Sequence, residues 1–395
     1  MATSTFATLG LGAIAPYLRS AFDLSTFEVG ILPALVFLGS FVVSIPAGRL
    51  TDRIGAGRAL VISQLGVALS ISIAAVAPSR FAFLAAVGVA GLGYGAVNPA
   101  TNVLSTSLVP RDHRALFLSV KQTGVTLGGL LGGLILPGLA DAVGWRACLM
   151  LPIGLLLASA GGGVWVARRE AAGWFTAAPS AAAAMERRVR ISVPGGFPTG
   201  LFGFVMSGVQ LSVAGYLTVY LVDTDDFSRP AAGFALGAAF FAACAGRIAW
   251  GYASDRWFTS HARTLVVVAT GSFAALTAIA AGAQGAALWI AVLLVGFCSF
   301  GWNGVYMALI TDRAAGRGLG HATGRGLMFL YGGVVLVPPT LGAIKDGVGS
   351  WTAAWVAASL AVLVALSTLA LGPRTVVEVD GSTESRVDAS AGAAV

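Results

Sequence analysis

The chain has 395 residues, 57% hydrophobic and only 10% charged, with a net charge of +7 and a mean hydropathy of +0.85. Soluble domains carry about 25% charged residues, so this composition excludes an ordinary soluble protein and points to a polytopic membrane protein. Cys148, Cys244 and Cys298 are isolated, which gives neither a disulfide framework nor a metal site, and no G-x-x-x-x-G-K-[ST] stretch is present to hold a nucleotide.

Apolar runs of about 17–25 residues cross a hydrocarbon core of about 30 Å as helix. Twelve are predicted, near 2–18, 27–47, 59–77, 81–107, 116–139, 147–167, 197–222, 231–252, 264–281, 286–310, 323–344 and 351–371. They are continuous, with small residues at three- and four-residue spacing and no period-2 alternation, which argues against a closed barrel. The first run has no basic stretch ahead of it and leads into further spans, so it reads as a span and not as a cleaved leader. The second ends in GRLTDRIGAGR, residues 48–58, where three arginines and one aspartate crowd between apolar runs. The fifth carries Gly124, Gly128 and Gly132 at four-residue spacing and then Pro137, a pattern that lets helices pack closely. Residues 168–196 are too polar and broken to span and form a linker, and residues 373–395 read as a disordered polar tail.

Polar landmarks recur at a nearly constant offset. Tyr17 matches Tyr220 and Asp52 matches Asp255 at 203; Lys121 matches Arg325 at 204; Arg58 matches Arg263, Asn98 matches Asn303 and Asp141 matches Asp346 at 205. Residues 1–167 and 197–372 are therefore predicted to be two related six-helix halves. The register places the counterpart of Phe197 about seven residues before Met1, so the first helix is expected to start short, from an upstream start or a late passage into the membrane. With both termini cytoplasmic, sixteen Lys/Arg fall on that side and five opposite, as the positive-inside rule requires of a cell-membrane protein. Arginines scattered over short loops present no basic surface for nucleic acid.

Two six-helix halves with a Gly-x-Leu-x-Asp-Arg-x-Gly loop after the second helix resemble the major facilitator superfamily of secondary transporters. Gly48, Leu50, Asp52, Arg53, Gly55 and Arg58 carry the motif, and Gly251, Asp255 and Arg256 form a weaker second copy. The resemblance implies an all-α membrane protein with twelve helices in two pseudo-symmetric bundles around a central cavity, with substrate at mid-membrane between them. It also implies that Gly48, Asp52, Arg53, Arg58, Asp255 and Arg256 act as a gate at one membrane face. From the residues alone, Gly48 is expected to let its helix approach a neighbour closely. Asp52 is expected to accept from the free amides of the following helix.

Three cations remain inside spans: Lys121, Arg247 and Arg325. Each costs roughly 2.5–3.5 kcal/mol at a bilayer centre, and no Asp or Glu lies well inside any span to pair with them. A cavity with fixed cations and no carboxylate attracts anions. Arg247, four residues before Gly251, resembles the helix 8 arginine of the monocarboxylate and oxalate–formate branches, which implies a guanidinium set against a substrate carboxylate. Asn98, Asn303, Tyr216, Tyr220, Trp302 and Tyr331 are candidate walls with polar tips.

The sequence thus predicts a carrier of a small organic anion, with a carboxylate as the expected class, working by alternating access through anion exchange or proton symport. No cofactor, metal, nucleophile or base constellation indicates an enzyme, and the carrier is expected to act as a monomer. The alternative is an exporter of apolar or cationic drugs, which the missing membrane carboxylate and the Pro-before-Gly order in GGLLGGLILPG argue against.

Overall fold

A computed structural model describes residues 1–108, 114–174, 196–224, 227–314 and 319–371. The described residues form α1 (Ala2–Ala13), α2 (Ala15–Phe22), α3 (Thr26–Ile54), α4 (Ala56–Ala75), α5 (Arg80–Leu108), α6 (Arg114–Val143), α7 (Trp145–Cys148) and α8 (Met150–Ala171). They continue with α9 (Gly196–Thr224), α10 (Arg229–Arg256), α11 (His261–Ala280), α12 (Gly285–Ser299), α13 (Asn303–Ala314), α14 (Leu319–Val348) and α15 (Trp351–Leu371). Among the described residues, eleven segments are long and apolar enough to cross a membrane. The first predicted run is divided between α1 and α2 at Ile14, just ahead of Pro16, and neither piece reaches spanning length alone. The sixth predicted run extends past its expected limit of 167, because α8 continues to Ala171.

Local chemistry sets the helix starts. Ser25 and Glu28 form a reciprocal capping box at the start of α3, and Ser228 and Ser260 cap α10 and α11. At the far end of α4, Arg146 donates to the carbonyls of Ala75 and Ala77 at 2.6 and 3.1 Å, satisfying groups that the helix leaves unpaired. Leu69, Val76 and Phe81 point outward, as lipid-facing positions should.

Helix packing follows the repeat. In the first part of the chain α1 packs on α6, α3 and α8 on neighbours α5 and α4, and α4 on α5; in the second part α9 packs on α14, α11 on α15, and α10 and α11 on α12. The two parts meet through α3 on α14, α6 on α10, and α1 on α9. Small residues permit these crossings. Gly133 of α6 faces the backbone of Gly237 in α10, where an added Cβ would lie 2.6 Å from nitrogen. Gly128 and Gly132 face α1, as their spacing predicts.

Among the described residues, nothing lies within 4 Å of where a Cβ on Gly48 would sit. Two of the free amides that open α4 are taken by Glu170 of α8: Ala56 N–H donates to its Oε1 at 3.0 Å and Gly57 N–H to its Oε2 at 2.9 Å. The reason lies in the turn. Asp52 still belongs to α3, while Gly55, at φ +88°, brings the start of α4 directly under the end of α8. The side chain of Asp52 lies outside the described residues.

Candidate functional site

The tenth apolar segment is broken. α12 ends at Ser299 and α13 begins at Asn303, leaving residues 300–302 non-helical and the last carbonyls of α12 without helical partners. α10 crosses this break at very short range: an added Cβ on Gly246 would lie 2.2 Å from the Phe297 carbonyl oxygen. The adjacent Arg247 thereby reaches the break and donates from Nε to the Phe300 carbonyl at 3.3 Å, while Trp250 Nε1 donates to the Phe297 carbonyl at 3.1 Å. A guanidinium has five N–H groups, so anchoring Nε leaves its outer fork oriented.

Arg247 lies within electrostatic reach of Tyr94 of α5, in the first part of the chain. Around Tyr94 stands an aromatic cluster. Phe37 of α3 meets Tyr94 edge-on at 6.1 Å and lies 6.2 Å from Tyr331 of α14; Phe41 meets Tyr331 at 5.9 Å. α3, α5, α10 and α14 therefore bring one cation and four aromatic rings to the contact between the two parts of the chain.

The break also binds α9. Trp302 Nε1 and Asn303 Nδ2 both donate to Gln210 Oε1, each at 3.1 Å. The sequence reading missed Gln210, although a signal was there: it is the one side-chain amide in the run 197–222.

The remaining candidates fall in different places. Tyr216 is buried and its hydroxyl donates to the Pro338 carbonyl at 2.6 Å, threading between Gly30 of α3 and Gly342 of α14, where no Cβ would fit beside it. Tyr220 donates to the Ile279 carbonyl at 3.2 Å and packs edge-on against Trp351 and Trp355. Trp302 is fully buried against Phe202 and Tyr306. These three side chains are spent on packing. Asn98 is half-buried on α5, one turn beyond Tyr94, and Asn303 is half-buried at the start of α13. Lys121 and Arg325 lie in α6 and α14, and their side chains are outside the described residues. Arg53 and Arg58 are exposed, as are Asp255, whose carboxylate is 3.9 Å from His261, and Arg256, which lies over Tyr252.

At the opposite end of the bundle from Gly48, charged contacts tie the two parts together. Arg19 of α2 pairs with Asp223 of α9 at 2.5 Å, and Trp351 Nε1 donates to the same carboxylate at 3.1 Å. The backbone N–H groups of Thr26 and Phe27, which open α3, donate to Asp346 of α14 at 3.2 and 2.8 Å. Arg229 donates to Ser20 at 2.8 Å and lies over the Tyr17 ring. Open spaces of about 560 and 590 Å³ flank the Arg19–Asp223 pair. Toward the other end Arg313, outside the spans, donates to Thr199 Oγ1 and burial lowers its pKa from the usual arginine value.

Comparisons with known proteins agree with this architecture. A gentisate transporter of Corynebacterium glutamicum is 30% identical over 155 residues, 37% of this chain and 35% of that protein. A gallate transporter of Pseudomonas putida is 28% identical over 150 residues, 37% and 33% of the two chains. Multidrug resistance protein MdtG of Serratia proteamaculans is 34% identical over 128 residues, 32% and 31%. The matched stretch is thus about a third of the length of each of these relatives. Among solved structures, a bacterial homologue of the human lysosomal transporter Spinster, in an inward-facing and occupied conformation, superposes with a TM-score of 0.72 at 15% identity over 94% of both chains. A point mutant of the nucleoside transporter NupG gives 0.70 at 12% identity over 93% and 97%. The Major Facilitator Superfamily profile matches residues 1–338, and the chain belongs to that family of membrane transporters.

Proposed function

We propose that the chain is a secondary transporter of a small organic carboxylate with an aromatic or similarly flat apolar body. The observation that carries this reading is Arg247, anchored by Nε at the Phe300 carbonyl and within electrostatic reach of Tyr94, which clusters with Phe37 and, through it, Tyr331. A guanidinium fork suits a carboxylate, and aromatic edges and faces suit a flat ring. The functions named for the relatives, which include transport of gentisate and gallate, support the same substrate class.

In this reading α1 and α2 together make a twelfth span, and residues 1–167 and 197–372 are two six-helix bundles joined by residues 168–196. Both termini are cytoplasmic in the cell membrane, placing Gly48 inside and the Arg19–Asp223 pair outside. The conformation described is then closed outside, by Arg19–Asp223 and Asp346 on the start of α3, and alternating access requires those contacts to part. Arg53, Arg58, Asp255 and Arg256 would engage partners when the inner face closes, and one copy of the chain suffices. In this reading transport proceeds by anion exchange; a proton carried with the substrate is the other route.

The MdtG similarity favours a second reading, export of apolar or cationic drugs. Uptake assays separate the two. Liposomes containing the purified chain, preloaded with unlabelled benzoate, should accumulate labelled benzoate and should leave ethidium unmoved. Ethidium flux without benzoate exchange would replace the carboxylate reading by the drug reading.

A further inference from the structure

The amide of Gln210 is fixed in orientation. Its Oε1 accepts from Trp302 Nε1 and Asn303 Nδ2, each at 3.1 Å. An indole nitrogen only donates, so the end of the Gln210 amide facing it is the oxygen; an amide oxygen only accepts, so the end of Asn303 facing Gln210 is the nitrogen. Two atoms are left over, Gln210 Nε2 with two N–H groups and Asn303 Oδ1 with its lone pairs. Among the described residues neither has a hydrogen-bond partner, and neither is one of the buried side-chain atoms lacking one. Both therefore face accessible space.

That space is interior. Gln210 is half-buried, yet Met206 and Ala214, four residues to either side on α9, are 0% and 3% exposed, so this stripe of α9 does not face lipid. Gln64 in the first half shows what a purely structural amide looks like. It is 2% exposed, accepts from Ser4 at 2.7 Å, and donates to Ser159 at 2.8 Å and Thr3 at 3.3 Å, so both of its ends are used. Gln210 spends only its oxygen.

We propose that Gln210 Nε2 and Asn303 Oδ1 form a subsite that reads a hydroxyl group on the substrate, Nε2 donating to the hydroxyl oxygen and Oδ1 accepting its proton. A donor and an acceptor held one hydrogen bond apart match a hydroxyl, which is both donor and acceptor, and match neither a bare ring edge nor an ether. The subsite shares the 300–302 break with Arg247, so the carboxylate and the hydroxyl of one small molecule are read from the same structural element. This inference rests on the carboxylate reading and adds to it a selectivity for hydroxylated acids. A substrate without the hydroxyl leaves two desolvated amide groups unpaired, which is the strong form of polar discrimination.

The test uses the full chain in liposomes, with benzoate, the three monohydroxybenzoates and their methoxy counterparts competing for uptake. At least one hydroxybenzoate should half-saturate transport at a concentration about tenfold or more below benzoate, with its methoxy counterpart near benzoate. Gln210→Glu keeps an acceptor for Trp302 and Asn303 but removes the amide donors, and should reduce that ratio to within about threefold. A wild-type ratio near one, or a ratio unchanged in Gln210→Glu, overturns the subsite. Should Gln210→Glu not be recovered folded, the wild-type hydroxy-to-methoxy comparison decides alone, equal affinities overturning the proposal. Benzoate uptake without discrimination removes the subsite and leaves the carboxylate reading standing; no uptake of any acid removes both.

Discussion

Arg19 and Asp223 form an ion pair at 2.5 Å that links α2 to α9, two helices from opposite halves of the sequence repeat. Each side chain is 29% exposed, so water screens the pair, and its contribution to stability is modest, in the range of about 0–1 kcal/mol. In the alternating-access reading proposed above its position matters more than its strength, because the pair would part when this end of the bundle opens. Asp223→Asn should shift the conformational equilibrium toward opening there by up to about fivefold. The modification rate of a cysteine introduced at Val219, which lines the adjoining space, reports that shift. An unchanged rate would show that the end is held by Asp346 and packing alone.

Glu170 is predicted to be a stability residue with no part in substrate choice. Its two oxygens serve the Ala56 and Gly57 amides at the positive end of α4. Glu170→Ala should cost roughly 0.5–2 kcal/mol, visible as a lower midpoint of thermal unfolding in detergent. The half-saturation constant should not move in that variant. Glu170→Gln, which keeps one acceptor oxygen, should lose less.

Phe37 and Tyr331 should act on affinity for aromatic acids more than on folding. They meet at 6.2 Å between α3 and α14. Tyr331→Leu retains apolar volume but removes the ring, and should raise the half-saturation concentration for benzoate by about three- to tenfold. A flexible aliphatic carboxylate should be much less affected. Equal losses for both acids would reduce the cluster to helix packing.

Glycine substitutions separate packing from gating. An added Cβ on Gly333 would lie 1.8 Å from the Phe204 carbonyl oxygen, so Gly333→Ala should cost at least about 1–3 kcal/mol or prevent recovery of the protein. Gly48 has no neighbour within 4 Å of an added Cβ among the described residues, and Gly48→Ala should leave thermal stability within about 0.5 kcal/mol. A transport loss in Gly48→Ala at full stability would place the close approach of this glycine in the other conformation, which inner closure would create.

The spans were legible in the sequence because span length is dictated by bilayer thickness: each predicted run from the second to the twelfth overlaps an apolar, largely helical segment long enough to cross. What escaped were features set by tertiary contact. Ile14 and residues 300–302 interrupt apolar runs that hydropathy alone reads as continuous, and the break at 300–302 becomes visible only when Arg247 and Gln210 are seen bound to it. Glu170 lies more than a hundred residues from the amides it binds, so no local pattern could have named it. Tyr216, Tyr220 and Trp302 read as polar-tipped walls, yet their polar tips are consumed by Pro338, Ile279 and Gln210. A buried polar group must be satisfied, and the sequence does not say by whom.

Binding of benzoate to the purified chain, compared between wild type, Arg247→Lys and Arg247→Gln, tests the central claim most directly. A carboxylate held by the Arg247 fork predicts affinity at least about tenfold weaker in Arg247→Gln, with Arg247→Lys intermediate because it keeps the charge without the bidentate geometry. Equal affinity in all three proteins would contradict the account and leave Arg247 as a clamp on the Phe300 carbonyl.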